Sequence, residues 1–174
     1  MNIFVLDEDP IQSAKYHCDS HVVKMPTEVA QILNTNSILL GGDSYKRDYE
    51  PFDKYKISHA NHPITKWARE TLSNFEWVAI YGLALCEEYT RRYKKDIKSR
   101  KAIEFAIGLG AKPKSGPLTK FHIGVKPQYI LDDVVASYRL AYCLDKASFA
   151  RWNKGVAPPS WFRKFQDPIN ISTY

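Results

Sequence analysis

Five polar side chains near the N-terminus have the spacing of a single helical stripe. They are His17, His21, Lys24, Glu28 and Gln31, which follow one another at intervals of four, three, four and three residues. With about 3.6 residues per turn, this spacing aligns all five on one side of a helix. Two imidazoles, an amine, a carboxylate and an amide on one line predict a site that handles protons or an anion. The alternative is a solvated helix edge with an ordinary Lys24–Glu28 ion pair.

The combination of an amine and a carboxylate suits one reaction in particular. A lysine beside other cationic groups can lose its proton and become a nucleophile, and a nearby carboxylate can move protons or stabilise a sugar cation. Cleavage of an N-glycosidic bond requires both. We therefore predict Lys24 as nucleophile or electrostatic stabiliser, Glu28 as acid–base, and His17 and His21 as contacts to phosphate or base. Further candidates for the same pocket are Gln31, His62, Trp67 and Trp77.

The elements that position this stripe are predicted to be helices. Asp9-Pro10 begins a helix, since an acid at the N-cap and a proline in the first turn are typical of helix starts. This helix should reach about His17, and a second or continuing one should end at Gly41-Gly42. Pro26 lies in the middle and is expected to kink or restart the helix.

The rest of the chain also has helical periodicity, so we predict a mainly α protein in which residues 1–174 form one compact domain. Residues 1–6 are apolar and β-branched and predict a strand or a short extended arm. A helix should open at Pro63, and further helices should cover residues 74–95, 99–109 and 131–146. Ser73 and Glu76 have the spacing of a capping box for the helix predicted over residues 74–95. Residues 43–60 predict an ordered loop or lid, residues 110–127 a loop, and residues 152–174 a tail over the surface.

Positive charge is concentrated in one segment. The chain has a net charge of +6, and residues 91–126 contain eleven lysines and arginines against two acids. Such segregation favours a surface for a polyanion, DNA more than others, although a merely solvated basic face is the alternative. The predicted nucleic-acid contacts are Arg91, Arg92, Lys94, Lys95, Lys98, Arg100, Lys112, Lys114, Lys120 and His122.

Several classes of protein are disfavoured by the sequence. No apolar run reaches the ~18 residues that a membrane span needs, and the first residues lack the basic start of a signal peptide. The three cysteines, Cys18, Cys86 and Cys143, form neither a disulfide framework nor a zinc motif. We therefore expect a cytoplasmic protein that binds no membrane and uses no metal or other cofactor. Composition predicts no oligomeric state.

These features resemble the small pyrimidine-dimer DNA glycosylases of bacteriophages, of the endonuclease V type. The resemblance covers about the first half of the chain: an apolar arm, a polar helix containing residues 17–26, and a later long helix that ends in a basic stretch. The segment from His59 to Pro63 is similar to the Asn-His-Pro segment of bacterial relatives. The resemblance implies a compact helical fold, a phage origin, and base excision from DNA, possibly accompanied by lyase cleavage at the abasic site.

Two positions depart from the family. The family attacks with the amino group of a threonine that is exposed by loss of the initiator methionine, whereas this chain has Asn2, which is too large for efficient methionine removal. When the prolines are matched, the family's catalytic glutamate falls at Lys24, and Glu28 lies one turn further on. Two rival functions therefore stay open: a non-catalytic binder of a nucleotide or small anion, such as a sponge for a signalling nucleotide or another anti-defence protein, and a protein inhibitor.

Overall fold

A computed structural model describes residues 2–41 and 56–162. Within these ranges the regular structure is helical and no strand occurs, which confirms a mainly α fold. The helices are α1 (Pro10–Tyr16), α2 (Asp19–Gly41), α3 (Pro63–Ala68), α4 (Leu72–Tyr93), α5 (Ser99–Gly108) and α6 (Val134–Asp145), with a 3₁₀ turn at Pro127–Tyr129. No helix in the described ranges is both long and apolar enough to cross a bilayer.

The N-terminal residues form an extended arm rather than a strand. Ile3, Val5 and Leu6 are buried in the core, which fixes the arm against the helices. The Ser13 hydroxyl donates to the Phe4 carbonyl and accepts from the Leu6 amide, so α1 satisfies the backbone of the arm. The first helix therefore fixes the backbone of the arm at residues 4 and 6. This brings residue 2 to a defined place.

The break in the helical path lies at His17 and Cys18, not at Pro26. The second helix continues through Pro26 without interruption, so it does not restart there, which was one of the two expectations for this proline. The break is stabilised from elsewhere in the chain, because the Arg92 guanidinium donates to the His17 carbonyl and the Tyr142 hydroxyl accepts from the Cys18 amide. His17 consequently lies before α2 and leaves the stripe that the spacing predicted.

The fourth helix is the centre of the fold and packs against α1, α2 and α5. Phe75, Val78 and Cys86 on one side of this helix are buried, and Trp77 and Tyr81 on the adjacent side are buried too. Gly82 permits the close crossing with α2, since a Cβ there would lie 2.5 Å from Val29 Cγ1. The N-cap is Thr71, whose side chain accepts from Asn74, so the helix starts two residues before the predicted boundary.

The remaining segments agree with the predicted pattern except at their ends. The sixth helix begins at Val134, because Asp133 is its N-cap. Residues 111–126 form an irregular loop attached to α4, where Ser73 donates to the Gly116 carbonyl. Trp152 and Phe162 pack into the core. The predicted lid at 43–60 lies outside the described residues except for 56–60, and the predicted tail lies outside them from residue 163.

Candidate active site

The predicted stripe contributes three of its members to a cavity of about 480 Å³. The cavity lies between the N-terminal arm, the first turns of α2 and the turn that follows α6. Its walls are Asn2, Phe4, Ser20, His21, Lys24, Glu28, Lys146 and Phe149. His21, Lys24 and Glu28 thus share one hollow, whereas His17 and Gln31 do not line it.

Glu28 is the central group of this cavity. One carboxylate oxygen, Oε2, accepts from the backbone nitrogen of Asn2 at 2.6 Å. The other, Oε1, lies 3.1 Å from Lys24 Nζ. The Glu28 side chain is 14% exposed and that of Lys24 is 69% exposed, so the carboxylate is fixed while the ammonium reaches into water. One carboxylate therefore contacts two nitrogen atoms from different parts of the chain.

Two hydrogen bonds of its own side chain hold residue 2 in place. The Asn2 side chain donates to the Gly124 carbonyl at 2.9 Å and accepts from the Ile3 amide at 2.9 Å. A Cβ at position 124 would lie 2.6 Å from Asn2 Oδ1, so glycine lets the loop approach the arm this closely without displacing the Asn2 side chain. This packing aims the nitrogen of residue 2 at Glu28.

His21 forms the buried wall of the cavity. Its ring stacks on Phe4, with centroids 4.8 Å apart, and meets Tyr142 edge-on at 5.1 Å. Burial, and next the positive charges of Lys146 and Lys24, lower the pKa of His21 to about 4. Its Nδ1 atom is buried and has no hydrogen-bond partner among the described residues. The ring is therefore neutral at neutral pH, with one nitrogen still available to bond.

His17 is a core residue rather than a cavity residue. Its Nδ1 donates to the Ser13 carbonyl at 2.8 Å, so Nε2 accepts from the Tyr81 hydroxyl at 2.9 Å. Burial, with the charge of His21 as the next cause, lowers the pKa of His17 to about 3. Both ring nitrogens are occupied within the core, so the expected contact between His17 and a substrate is corrected to a role in packing.

The other pocket candidates lie elsewhere. His62 is the N-cap of α3 and accepts from the Ile64 amide at 3.3 Å, and partial burial lowers its pKa. Trp67 and Trp77 are buried beside Phe121, with ring centroids 5.1 and 5.0 Å away, and the Trp77 indole donates to the Glu8 carbonyl. Their faces are covered by protein, so neither offers the stacking surface that the sequence suggested. Gln31 is half-buried beyond the cavity.

Most residues of the predicted basic surface are solvent-accessible, and one of them, Arg92, is buried. Arg92 has a side chain with 0% exposure that pairs with Glu88 and Asp19, so it is inaccessible to DNA. Arg91 also bonds Glu88 but stays half exposed, and Arg100 is half-buried. The exposed members of the set are Lys94, Lys95, Lys98, Lys112, Lys114, Lys120 and His122.

Five wall residues, Ser20 among them, were not singled out as site residues from the sequence. Asn2 was marked only by the resemblance, which drew attention to position 2. Phe4, Lys146 and Phe149 have no motif, and the last two reach the cavity from more than one hundred residues away. In the described ranges, no group of three or more histidine, cysteine or acidic side chains is placed to hold a metal ion.

A family model described as pyrimidine dimer DNA glycosylase matches residues 1–101. The match covers more than half of the chain, so the chain belongs to the pyrimidine dimer DNA glycosylase family. The matched range includes Asn2, His21, Lys24 and Glu28 and ends before α6. No curated protein and no solved structure matches the chain.

Proposed function

We propose that this protein is a DNA glycosylase that removes a damaged base at the cavity around Glu28. The observation that supports this proposal is the contact of one buried carboxylate with two nitrogens, that of Asn2 at 2.6 Å and that of Lys24 at 3.1 Å. Amine attack on C1′ of the sugar, assisted by an acid–base carboxylate, is the chemistry of base excision through a covalent intermediate.

The nitrogen of Asn2 is the better placed nucleophile of the two. It becomes a primary amine when Met1 is removed, and an α-amine ordinarily has a pKa of about 7.7–8.0, against about 10.4 for a lysine. Lys24 is 69% exposed and so lacks the desolvation that activates a lysine. We therefore assign attack to the α-amine of Asn2 and an electrostatic role to Lys24. This assignment requires removal of the initiator methionine despite the size of Asn2.

The proposed reaction uses few protein side chains. The amine nitrogen bonds to C1′ while the bond from C1′ to the base breaks, and Glu28 accepts a proton from the amine. The base leaves with the electron pair of the broken bond and takes a proton from water. Opening of the sugar ring gives an imine between the amine and C1′, which borohydride reduces to a stable adduct. The same imine favours loss of the 3′ phosphate by elimination, so abasic-site lyase activity accompanies base removal. The exposed lysines of residues 94–120 hold the DNA backbone.

A trapping experiment tests this function. The intact mass of the purified protein first shows whether Met1 is present. The protein is then incubated with a duplex that contains one thymine dimer, reduced with borohydride, and digested to map the adduct. We expect the adduct on the α-nitrogen of Asn2.

Three variants sharpen the test. Glu28→Gln should lower the rate of adduct formation by about 10²–10⁴-fold, whereas Lys24→Ala should retain the adduct at position 2. The matched control Glu104→Gln, an exposed acid on α5, should behave as wild type. The mechanism is refuted if protein that lacks Met1 forms no adduct. An adduct on Lys24 would show that the lysine is the nucleophile instead. Calorimetry with a panel of nucleotides identifies a non-catalytic binder, which returns its ligand unchanged.

A further inference from the structure

The turn that follows α6 is built as a rigid element. We call residues 146–151 the α6 turn. The Lys146 carbonyl accepts from the amides of Phe149 and Ala150 at 3.1 and 2.7 Å. The Arg151 guanidinium donates to three further carbonyls of the same turn, at distances of 2.8 to 3.2 Å. These bonds fix the backbone, so the side chains of the turn are presented in defined positions.

The α6 turn is also attached to the start of α2. The Arg151 carbonyl accepts from the Asp19 amide at 2.8 Å, and the Asp19 carboxylate accepts from the Asn153 amide at 2.6 Å. Asp19 is two residues before His21 in the helix that carries Glu28. The turn is therefore held against the helix of the candidate active site.

Two side chains of the α6 turn enter the cavity wall, and both suit a nucleotide. Phe149 is 44% exposed, although its ring centroid is only 5.5 Å from that of His21. Lys146 Nζ lies 5.9 Å from the centre of the Phe4 ring. Lys24 has Glu28 as its partner, but no described carboxylate forms an ion pair with Lys146. The wall thus offers an exposed aromatic ring beside a cation that forms no ion pair within the described ranges.

We propose that the α6 turn is a nucleotide-binding element, in which Phe149 stacks on a base turned out of the duplex and Lys146 contacts a phosphate of that nucleotide. This inference rests on the proposed function, because the cavity is the one that contains Glu28. Stacking on an aromatic ring tolerates any base and needs an exposed face, which Phe149 has and the buried tryptophans lack. The turn lies beyond residues 1–101, so the family match does not include it.

Binding to two duplexes tests the proposal without requiring turnover. One duplex has a single extrahelical thymidine and the other is the same duplex fully paired. Fluorescence anisotropy over a range of salt concentrations gives both affinities and their salt dependence. We expect the wild-type protein to prefer the duplex with the extrahelical base. Phe149→Ala should reduce this preference ~10-fold, and Phe149→Trp should retain it. Lys146→Ala should lower the slope of log K against log salt by ~0.9, which corresponds to one lost phosphate contact.

Matched variants provide the controls. Leu144→Ala removes another exposed apolar side chain from α6, and Lys154→Ala removes another exposed lysine, both outside the cavity. Neither should alter the preference or the slope. Thermal unfolding of each variant checks that the fold is retained. A wild-type preference in Phe149→Ala, or an unchanged slope in Lys146→Ala, would overturn the proposal.

The outcome is separable from that of the proposed function. If the trapping experiment gives no adduct but the preference depends on Phe149, the glycosylase fails and the nucleotide-binding element stands. If the adduct forms and both variants bind as wild type, the glycosylase stands and the α6 turn has no role in binding.

Discussion

Replacement of Arg92 by alanine separates a role in DNA binding from a role in folding. Arg92 occurs in the basic segment that the sequence assigned to DNA, yet its side chain is fully buried. Its guanidinium donates to Glu88 at 3.0 Å, to Asp19 at 3.1 Å and to the carbonyls of His17 and Lys15 at 2.7 and 3.0 Å. The side chain joins α4 to the break between α1 and α2.

The expected loss of stability is large because two carboxylates remain behind. Glu88 and Asp19 have side chains that are 7% and 11% exposed. In Arg92→Ala, Glu88 keeps only the half-exposed Arg91 as a partner, and Asp19 loses its buried counter-charge. Removal of one partner from a buried ion pair costs about 3–5 kcal/mol. In a domain of this size, 1 kcal/mol corresponds to roughly 2–4 °C in Tm, so we expect a decrease of about 6–20 °C.

Two measurements on two variants provide the test. Urea unfolding followed by circular dichroism gives the free energy of unfolding, and anisotropy gives the affinity for a duplex. The matched control is Lys95→Ala, an exposed cation three residues away. It should change the free energy of unfolding by no more than about 0.5 kcal/mol and lower the salt slope of DNA binding by ~0.9. If Arg92→Ala is as stable as wild type but binds DNA as weakly as Lys95→Ala, the buried network is misassigned.

Two further predictions concern packing and pH. Gly82→Ala should destabilise the fold by about 1–3 kcal/mol, because the new Cβ meets Val29. The control Gly108→Ala should be neutral or slightly stabilising, because position 108 has open space around it. Equal urea midpoints for the two variants would contradict the close helix crossing. Burial lowers the pKa of His17 to about 3 and that of His21 to about 4, so the unfolded chain binds more protons below pH 6.5. Stability should be complete above pH 6.5 and fall by up to about 1.4 kcal/mol per pH unit for each histidine as the pH decreases. Urea unfolding at pH 7 and pH 5 measures this fall, and NMR titration should show both rings neutral at pH 5.

Local signals in the sequence located most of the helices. Asp9-Pro10 and Pro63 start helices where predicted, and the periodicity that predicted a helix over residues 74–95 located α4 to within two residues at each end. These signals act within one turn of the chain. The end of the first helix near His17 was predicted as well, but the contacts that stabilise the break were not, because Arg92 and Tyr142 arrive from α4 and α6.

The same limit explains the errors in the candidate site. A buried arginine and an exposed one look alike in a basic segment, and only the positions of Glu88 and Asp19 distinguish them. Lys146 and Phe149 were missed because no local pattern links them to residues 2–28. The grouping of His21, Lys24 and Glu28 was predictable, since helical spacing alone places them on one side of α2.

The position of Glu28 shows why matching residues along the chain misjudges this site. When the prolines are matched, Lys24 takes the place of the family's glutamate and the chemistry looks altered. Because α2 passes through Pro26 unbroken, the next residue on the same face is Glu28, about 6 Å further along the helix axis. The arm brings the nitrogen of residue 2 to that turn, where Oε2 accepts from it at 2.6 Å, and Lys24 moves to the solvent edge. A carboxylate that lies one turn later in sequence can therefore meet the nitrogen of residue 2, because this contact depends on where the arm ends against α2.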